Sequence, residues 1–379
     1  MKTKLVAAHA ALAVILCASN AAAINVLKDE EQHRSLDVGV LLQPQVQITK
    51  DGAPDATSAS TDLFLRRARI MVFGEVLQGL TFFVDTDQPN WGKNGKWDGA
   101  LVVQDAFGSY ELVRQLTVDA GFMLVPFTHN TLEGAASLHA LDYHAALIHY
   151  PTGVGPAFRD AGVQLRGLAF GDHLHYRLGV YEGVRGPAVA TAPAPAPGSP
   201  ESLPLNPDGE PRFAGMLRAN ILGVEDKFFM RGIYFAEAPM LSLGVGFDYQ
   251  RHVTRIPTGI GSHAALSGDV YFECPFSTKD ELLAKAAIVH YAEGSGSIAT
   301  GTGAFGEVGF RHDWLEPLVG LDYFHANRGL EDYYAFKGGL NFWLKQLAAN
   351  IKTEVAYTVD DRVIHRRDLV GTLQGQIFF

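Results

Sequence analysis

The chain has 379 residues, a formal net charge of −10, 40 glycines, 23 phenylalanines and 13 tyrosines. A net acidic chain argues against nucleic acid as a partner, because a phosphate backbone attracts basic surfaces. After the first 23 residues, no apolar run reaches the ~18 residues typical of a transmembrane helix. The many glycines and aromatic residues favour β structure.

The first 23 residues have the pattern of a cleaved export signal. Lys2 and Lys4 precede an apolar run over residues 5–17, and Ala-Ala-Ala at 21–23 offers a cleavage site of the A-x-A type. The mature chain is therefore predicted to begin at Ile24. It has 356 residues and a net charge of −12, since the signal carries two of the lysines.

The two cysteines allow one alternative at the N-terminus. Cys17 ends the apolar run and suggests a lipoprotein, but Leu16 is bulkier than the small residue that usually precedes a lipid-modified cysteine. After cleavage Cys274 is the one cysteine left in the sequence, so no intramolecular disulfide is expected.

The dominant pattern after the signal has a period of two residues. In the segment 348–360, Ile351 and Val355 fall on one face, and Lys352 and Glu354 fall on the other. Such alternation suits a strand between lipid and water, whereas a helix needs apolar positions three and four residues apart.

Segments of this kind occur sixteen times, and an even number is what a closed antiparallel bacterial barrel needs. The predicted strands are 36–49, 62–75, 78–87, 100–110, 115–125, 161–170, 173–182, 211–223, 239–251, 264–274, 281–292, 303–312, 316–326, 332–344, 348–360 and 368–379.

The connectors tend to alternate between short and long, as expected when one end of a barrel faces the periplasm and the other the outside. Residues 171–172 form a short turn, whereas 126–160 and 183–210 are long. The second of these carries a proline-rich stretch at 191–200 that cannot be a strand, and it is predicted to be an external loop. The connector 224–238 is long where a short turn is expected, so it carries a small hairpin or the count is wrong there.

A soluble β-sandwich or β-helix is the alternative fold, since its strands also alternate. Against it, the apolar face persists in nearly every segment, and the chain ends on an aromatic residue, Phe379, as outer-membrane barrels do. The predicted fold is therefore an all-β transmembrane antiparallel barrel of about 16 strands, formed by residues 24–379 and located in the outer membrane.

Three motifs in order resemble the phosphate-selective porin O and P family over about residue 36 to the end. They are an Arg-Arg-Ala-Arg strand at 62–70 followed by Gly74, a Gly-x-x-x-x-Pro-Phe strand end at 121–127, and an Arg-Asp-x-Gly-Val strand at 159–167. The resemblance implies a sixteen-stranded barrel, usually a trimer, whose third long loop folds inward and narrows the pore. The connector 126–160 is in that position.

Two features of the sequence bear on this resemblance. The connector 126–160 is rich in polar residues suited to a constriction: Asn130, Glu133, His139, Asp142, His144, His149 and Arg159. On the other hand, the family's lysine before Pro-Phe is replaced by Met123, and the chain has twelve lysines in all. A lysine ladder for phosphate is therefore not evident.

Alternation predicts which charged side chains face the lumen. The candidate pore-lining and anion-contacting residues are Arg67, Arg69, Arg159, Arg166, Arg177, Arg218, Arg311 and Lys352, and the acidic ones are Asp119, Asp248, Asp269, Glu307 and Glu354. Arginine suits oxyanions because its planar fork donates two parallel hydrogen bonds. The alternative is that these side chains pair with neighbouring acids and stiffen the wall. Arg66 falls on the face opposite Arg67.

Two other site types are weaker interpretations. His139, Asp142 and His144 are spaced for a zinc site if the segment is helical, but they match no known zinc motif. Ser137 with His139 and Asp142 lacks the surrounding frame of a nucleophilic enzyme. No enzyme activity, metal or cofactor is predicted.

The functional hypothesis is an outer-membrane porin for passive diffusion of small polar solutes, with a weak preference for anions such as phosphate. The expected partners are outer-membrane lipid, the solutes in transit and two further copies in a homotrimer. The alternative is a structural or adhesive barrel without an open pore.

Overall fold

The computed structural model describes residues 23–144, 147, 158–185, 204–256, 259–294, 300–326, 332–361 and 365–379. Within these ranges there are seventeen strands: β1 Ile24–Asp29, β2 Arg34–Thr49, β3 Ser60–Leu77, β4 Leu80–Asp87, β5 Val102–Val113, β6 Leu116–Leu124, β7 Arg159–Ala169, β8 Leu174–Tyr181, β9 Arg212–Leu222, β10 Met240–Ile256, β11 Gly259–Pro275, β12 Asp280–Ala292, β13 Gly301–His312, β14 Leu315–Ala326, β15 Tyr333–Lys345, β16 Ala349–Asp360 and β17 Arg366–Phe378.

Strands β2 to β17 form a closed antiparallel barrel of sixteen strands. Each pairs with the next along the chain, and β17 closes the ring by pairing with β2. All sixteen predicted strands are confirmed, with the largest differences where β10 and β11 extend further than expected. The sequence pattern missed β1, which has six residues and pairs with the start of β2.

The strands are apolar outside and polar inside, the reverse of a soluble protein. In β10, Leu243, Val245 and Phe247 are exposed on the outer face, whereas Asp248 and Gln250 on the inner face are buried. An outer face of this kind matches the apolar band of a membrane barrel, and the polar inner face matches its lumen.

The two ends of the barrel differ in their connectors. At one end, called the short-turn end, strands are joined by tight turns such as the one at Gly171 and Asp172, which both have positive φ values, 66° and 70°. The other end is called the long-loop end. Its third connector joins β6 to β7 and is the longest connector there that is mostly described. It turns into the lumen after Leu124. The proline-rich 191–200 and most of the predicted signal peptide lie outside the described residues.

The connector 223–239 explains the irregularity in the sequence pattern. It is neither a hairpin nor a sign of a wrong strand count. It enters the lumen from the short-turn end, where Phe228 and Phe229 pack against buried residues of the wall. Its length and its aromatic residues are therefore explained by its packing inside the lumen.

The two inward segments meet inside the barrel. The Met230 nitrogen donates to the Leu132 carbonyl at 2.9 Å, and the Gly134 nitrogen donates to the Met230 carbonyl at 2.9 Å. A parallel bridge between Glu133 and Met230 joins them further. The segment 125–147, of which 145 and 146 are not described, will be called the upper segment, and 223–239 the lower segment. In the part of the chain that the structure describes, no helix is long and apolar enough to cross a membrane.

Candidate pore constriction

The upper segment begins with a single helical turn, His129–Leu132, that is buried in the lumen. Thr128 caps it, because the Thr131 nitrogen donates to Thr128 Oγ1 at 3.2 Å and the Thr131 hydroxyl lies within 3.0 Å of the Thr128 nitrogen. The cap provides hydrogen-bond partners for backbone N–H groups at the start of the turn, which would otherwise need water inside the lumen.

On one side the upper segment is held to the wall at β12 to β14 by ionic contacts. His139 lies 2.9 Å from Glu307 and 2.8 Å from Glu316, both measured between ring nitrogen and carboxylate oxygen. His144 contacts Glu307 at 3.0 Å and Asp322 at 2.5 Å. All of these side chains are buried.

These contacts determine the charge of the two histidines. Burial alone disfavours the imidazolium, but the carboxylates of Glu316 and Glu307 outweigh it and raise the pKa of His139 to about 9. The pKa of His144 is raised in the same way, by Asp322 and Glu307, against both its burial and the nearby Lys337. His139 is therefore cationic at neutral pH, and the carboxylates around His144 favour its protonated form.

A lysine adds to this cluster. The Lys285 ammonium on β12 lies 2.8 Å from Glu133 of the upper segment and 2.8 Å from Glu307 of the wall. It is 4% exposed, so both of its ion pairs are shielded from solvent.

On the opposite side, two adjacent arginines hold the upper segment. Arg66 and Arg67 both donate to Asp142, at 2.7 and 2.6 Å. Alternation predicts opposite faces for them, but the pairing of β2 with β3 shifts register between Gln43 and Pro44, so that Arg66 is the extra residue of a bulge. Arg66 thereby reaches the same carboxylate as Arg67. Although burial opposes it, the two guanidinium groups lower the pKa of Asp142.

The lower segment is tied to the same network. His129 lies 3.0 Å from Glu133 and 2.8 Å from Glu225 of the lower segment. Arg218 on β9 pairs with Glu225 at 2.5 Å and also with Asp269 on β11. One chain of charges thus connects both inward segments to the wall.

The eight predicted pore-lining residues all have partners. Six pair with carboxylates: Arg67 with Asp142, Arg69 with Asp85 and Asp87, Arg159 with Asp105, Arg166 with Asp119, Arg218 with Glu225 and Asp269, and Arg311 with Glu281. Arg177 donates to the backbone carbonyls of Lys227 and Phe228, and Lys352 donates to those of Leu138, His139 and Ala140.

The acidic predictions fall into the same pattern. Asp119, Asp248, Asp269 and Glu307 are paired with Arg166, Arg212, Arg218 and Lys285, whereas Glu354 is half-buried on β16. The sequence analysis did not include Arg212 among the candidate pore-lining residues. In the structure this side chain is fully buried. It has the same parity as Arg218 on β9, so the alternation already placed it on the inner face.

The structure does not bring together the residues of the enzyme hypothesis. Ser137 donates to the Gly134 carbonyl at 2.9 Å, while His139 and Asp142 have the separate partners described above. Among the described residues no group of three or more His, Cys, Asp and Glu side chains is arranged to hold a metal ion. His149 lies outside those residues.

Two cavities open beside the lower segment. One of about 500 Å³ at the short-turn end has mostly apolar walls, including Phe73, Phe83 and Phe229. The other, about 290 Å³, has polar walls that include Arg166 and His175.

A closed sixteen-stranded barrel with an apolar outer face, a charged interior and an inward third long connector has the fold of outer-membrane porins. No family model and no curated protein matches the chain. Solved structures do. The outer-membrane channel DcaP of Acinetobacter baumannii matches with a TM-score of 0.58 at 11% identity, over 94% of this chain and 100% of that chain.

Two further structures have comparable similarity. The anion-selective porin from Comamonas acidovorans has a TM-score of 0.58 at 11% identity, over 91% of this chain and 100% of that chain. Salmonella typhi OmpF, in a complex with daunomycin, has a TM-score of 0.57 at 12% identity, over 94% and 100%. At these identities the similarity establishes the fold.

Proposed function

We propose that the chain is an outer-membrane porin through which small polar solutes diffuse passively. The observation that carries the proposal is the third long connector, which folds into a closed barrel and is held there by charged contacts on both sides. A barrel with an apolar outer face and a polar lumen suits a water-filled path across a bilayer. The predicted export signal at 1–23 fits location in the outer membrane.

Anion preference is the finer part of the proposal. It is supported by the seven predicted arginines and Lys352, whose partners belong to the wall or to the inward segments, and by one similar structure that is named as an anion-selective porin. However, six of these cations are paired with carboxylates, which reduces the field that a passing ion meets. We therefore expect a weak preference for anions, with phosphate as one candidate solute. A homotrimer is the proposed assembly.

A structural barrel without an open pore is the second candidate, and a specific observation favours it. The upper and lower segments cross the lumen from opposite ends, and the charged side chains that hold them are buried. A lumen filled in this way conducts poorly unless one segment moves.

Planar-bilayer recording separates the two functions. The mature chain from Ile24 is refolded and inserted, and conductance and reversal potential are measured across a KCl gradient. Discrete conductance steps with a reversal potential of anion-selective sign support the full proposal. A reversal potential of the opposite sign supports a porin but excludes phosphate and other anions as its preferred solutes. If a chain that is demonstrably folded as a barrel gives no steps, the structural barrel is favoured instead.

A further inference from the structure

The apolar cavity at the short-turn end has features that diffusion of polar solutes does not require. It lies between the wall at β2 to β4 and the two inward segments, and its volume is about 500 Å³. Its apolar lining includes Met71, Phe73, Phe83, Ala136, Phe228 and Phe229. Inner-face positions of a porin lumen are expected to be polar, so this patch is an exception in the wall.

Aromatic rings dominate the cavity. The ring centroids of Phe83 and Phe229 are 4.9 Å apart, and those of Phe73 and Phe83 are 6.0 Å apart. Phe228 stacks on Phe107 of β5 at 4.2 Å. Rings at these spacings offer faces and edges to a flat apolar molecule.

The charged side chains that line the cavity are Arg69, Arg159, Lys227, Arg231 and Asp85. Arg69 and Arg159 line the cavity, and they pair with three carboxylates, those of Asp85, Asp87 and Asp105. These two arginines and three carboxylates carry a formal charge of −1 together, whereas the two further lining cations, Lys227 and Arg231, are exposed. Asp85 and Asp105 also lie directly opposite each other on β4 and β5, where like charges disfavour one another.

Asp85 is the member of this group with unused bonding capacity. It lines the cavity and is 2% exposed, and its Oδ2 accepts from Arg69 at 2.9 Å. Its Oδ1 is buried and has no hydrogen-bond partner among the described residues. A buried carboxylate oxygen of this kind favours a hydrogen-bond donor, and a cationic donor forms a stronger, charge-assisted bond with it than a neutral donor does.

We propose that this cavity binds a small amphiphile that has an aromatic body and a protonated amine. The body packs among Phe73, Phe83 and Phe229, and the ammonium group donates to Asp85 Oδ1. Binding to this cavity does not require conduction through the barrel. The binding proposal can therefore be tested separately from the porin proposal.

Three probes of one shape test the charge of the head group: 1-naphthylmethylammonium, the neutral 1-naphthylmethanol and the anionic 1-naphthylacetate. Each is titrated calorimetrically into the refolded mature chain in detergent, and the heat of partition into empty micelles is subtracted. We expect the ammonium probe to bind about tenfold or more tightly than the alcohol, as a charge-assisted hydrogen bond would give. The acetate should bind most weakly.

Variants locate the site. Asp85→Asn should remove the preference for the ammonium probe and leave the affinity for the alcohol. Ala136→Trp should fill the cavity and abolish binding of both probes. Asp313→Asn, an exposed aspartate at the same end of the barrel, is the matched control and should bind like the parent chain. Folding of each variant is checked by the heat-dependent shift in electrophoretic mobility.

Three outcomes overturn the proposal. Equal affinity for ammonium and alcohol removes the role of Asp85. If the acetate probe binds most tightly, the head group is recognised by Arg69 and Arg159 and not by Asp85. Binding that survives Ala136→Trp places the probe elsewhere. If a variant does not fold, the ranking of the three probes on the unmodified chain still decides.

Discussion

At the scale of single residues, the interior is organised by ion pairs between distant parts of the chain. His139 of the upper segment meets Glu307 and Glu316, which are 168 and 177 residues away in sequence. Taking such charges out of water is costly, so removing one partner leaves the others uncompensated. Each pair thereby fixes the position of the upper segment more strictly than apolar contacts would.

Lys285→Met tests this dependence. It leaves Glu133 and Glu307 without the ammonium group that lies between them, and we expect a loss of about 3–5 kcal/mol in the free energy of unfolding. Urea titration of the barrel in lipid vesicles measures this quantity. Lys279→Met is the control, because Lys279 is 62% exposed in its pair with Asp313 and its removal should cost about 1 kcal/mol or less. Equal losses in the two variants would contradict the argument.

The raised pKa of His139 makes docking of the upper segment dependent on pH. Free histidine has a pKa of 6.5, and the docked ring has a pKa of about 9, so the docked form holds its proton more tightly. The stabilisation is complete below pH 6.5 and is lost as the pH rises through 9. Between these values the docking equilibrium should weaken about tenfold for each pH unit. His144 acts in the same direction, since its pKa is also raised.

Limited proteolysis between pH 7 and 9.5 measures this release. Cleavage within 125–147, mapped by mass spectrometry and normalised to cleavage in the 50–59 connector, should increase with pH. The groups facing His139 are Glu307 and Glu316, and Asn341 and Lys352 donate to its carbonyl oxygen. In His139→Gln the pH dependence should become weaker, and the part that remains should come from His144. A parent chain whose cleavage ratio does not change with pH would rule out this histidine as the titrating group.

At the scale of elements, alternation predicted the sixteen barrel strands, because the difference between lipid and lumen acts on every second residue. It could not predict pairing inside the lumen, where partners such as Arg67 and Asp142 are set by how loops fold. Nor could it place the bulge at Arg66, since a single extra residue reverses the parity that the prediction relies on. The lower segment was noticed for its length, but no local pattern showed that it turns inward.

Replacing residues 224–238 by a two-residue turn tests the role of the lower segment. The pairing of β9 with β10 extends from Leu222 to Phe213, so the barrel should still close. His129 retains its ion pair with Glu133, and Arg218 retains its ion pair with Asp269. Both side chains lose their ion pair with Glu225. With Phe228 and Phe229 gone, the lumen should take up water, and single-channel conductance should rise. Shortening 50–59 is the control. An unchanged conductance would mean that the upper segment alone limits the path.

At the scale of the whole molecule, closure of the ring and the apolar outer face act together. The seam between β17 and β2 is completed by Phe379, which exchanges backbone hydrogen bonds of 2.7 and 3.1 Å with Val40. With no free edge in the ring of sixteen strands, the backbone groups of the wall are paired internally, as a bilayer requires. The outer side chains are then largely apolar, as Val319 and Leu321 of β14 are.

Val319→Arg tests whether this outer face meets lipid. Val319 on β14 is 63% exposed on the outer face, and Val308 of β13, its cross-strand neighbour, is exposed there too. An arginine there should cost about 2–4 kcal/mol if the position lies near the bilayer midplane, since its charge is transferred into hydrocarbon. Reversible folding into vesicles, followed by urea titration, measures the difference. Val319→Leu should change the free energy of folding little. If the arginine variant is as stable as the leucine variant in lipid, this face of the barrel lies in water or against another copy of the chain, and cross-linking across β14 would distinguish these two cases.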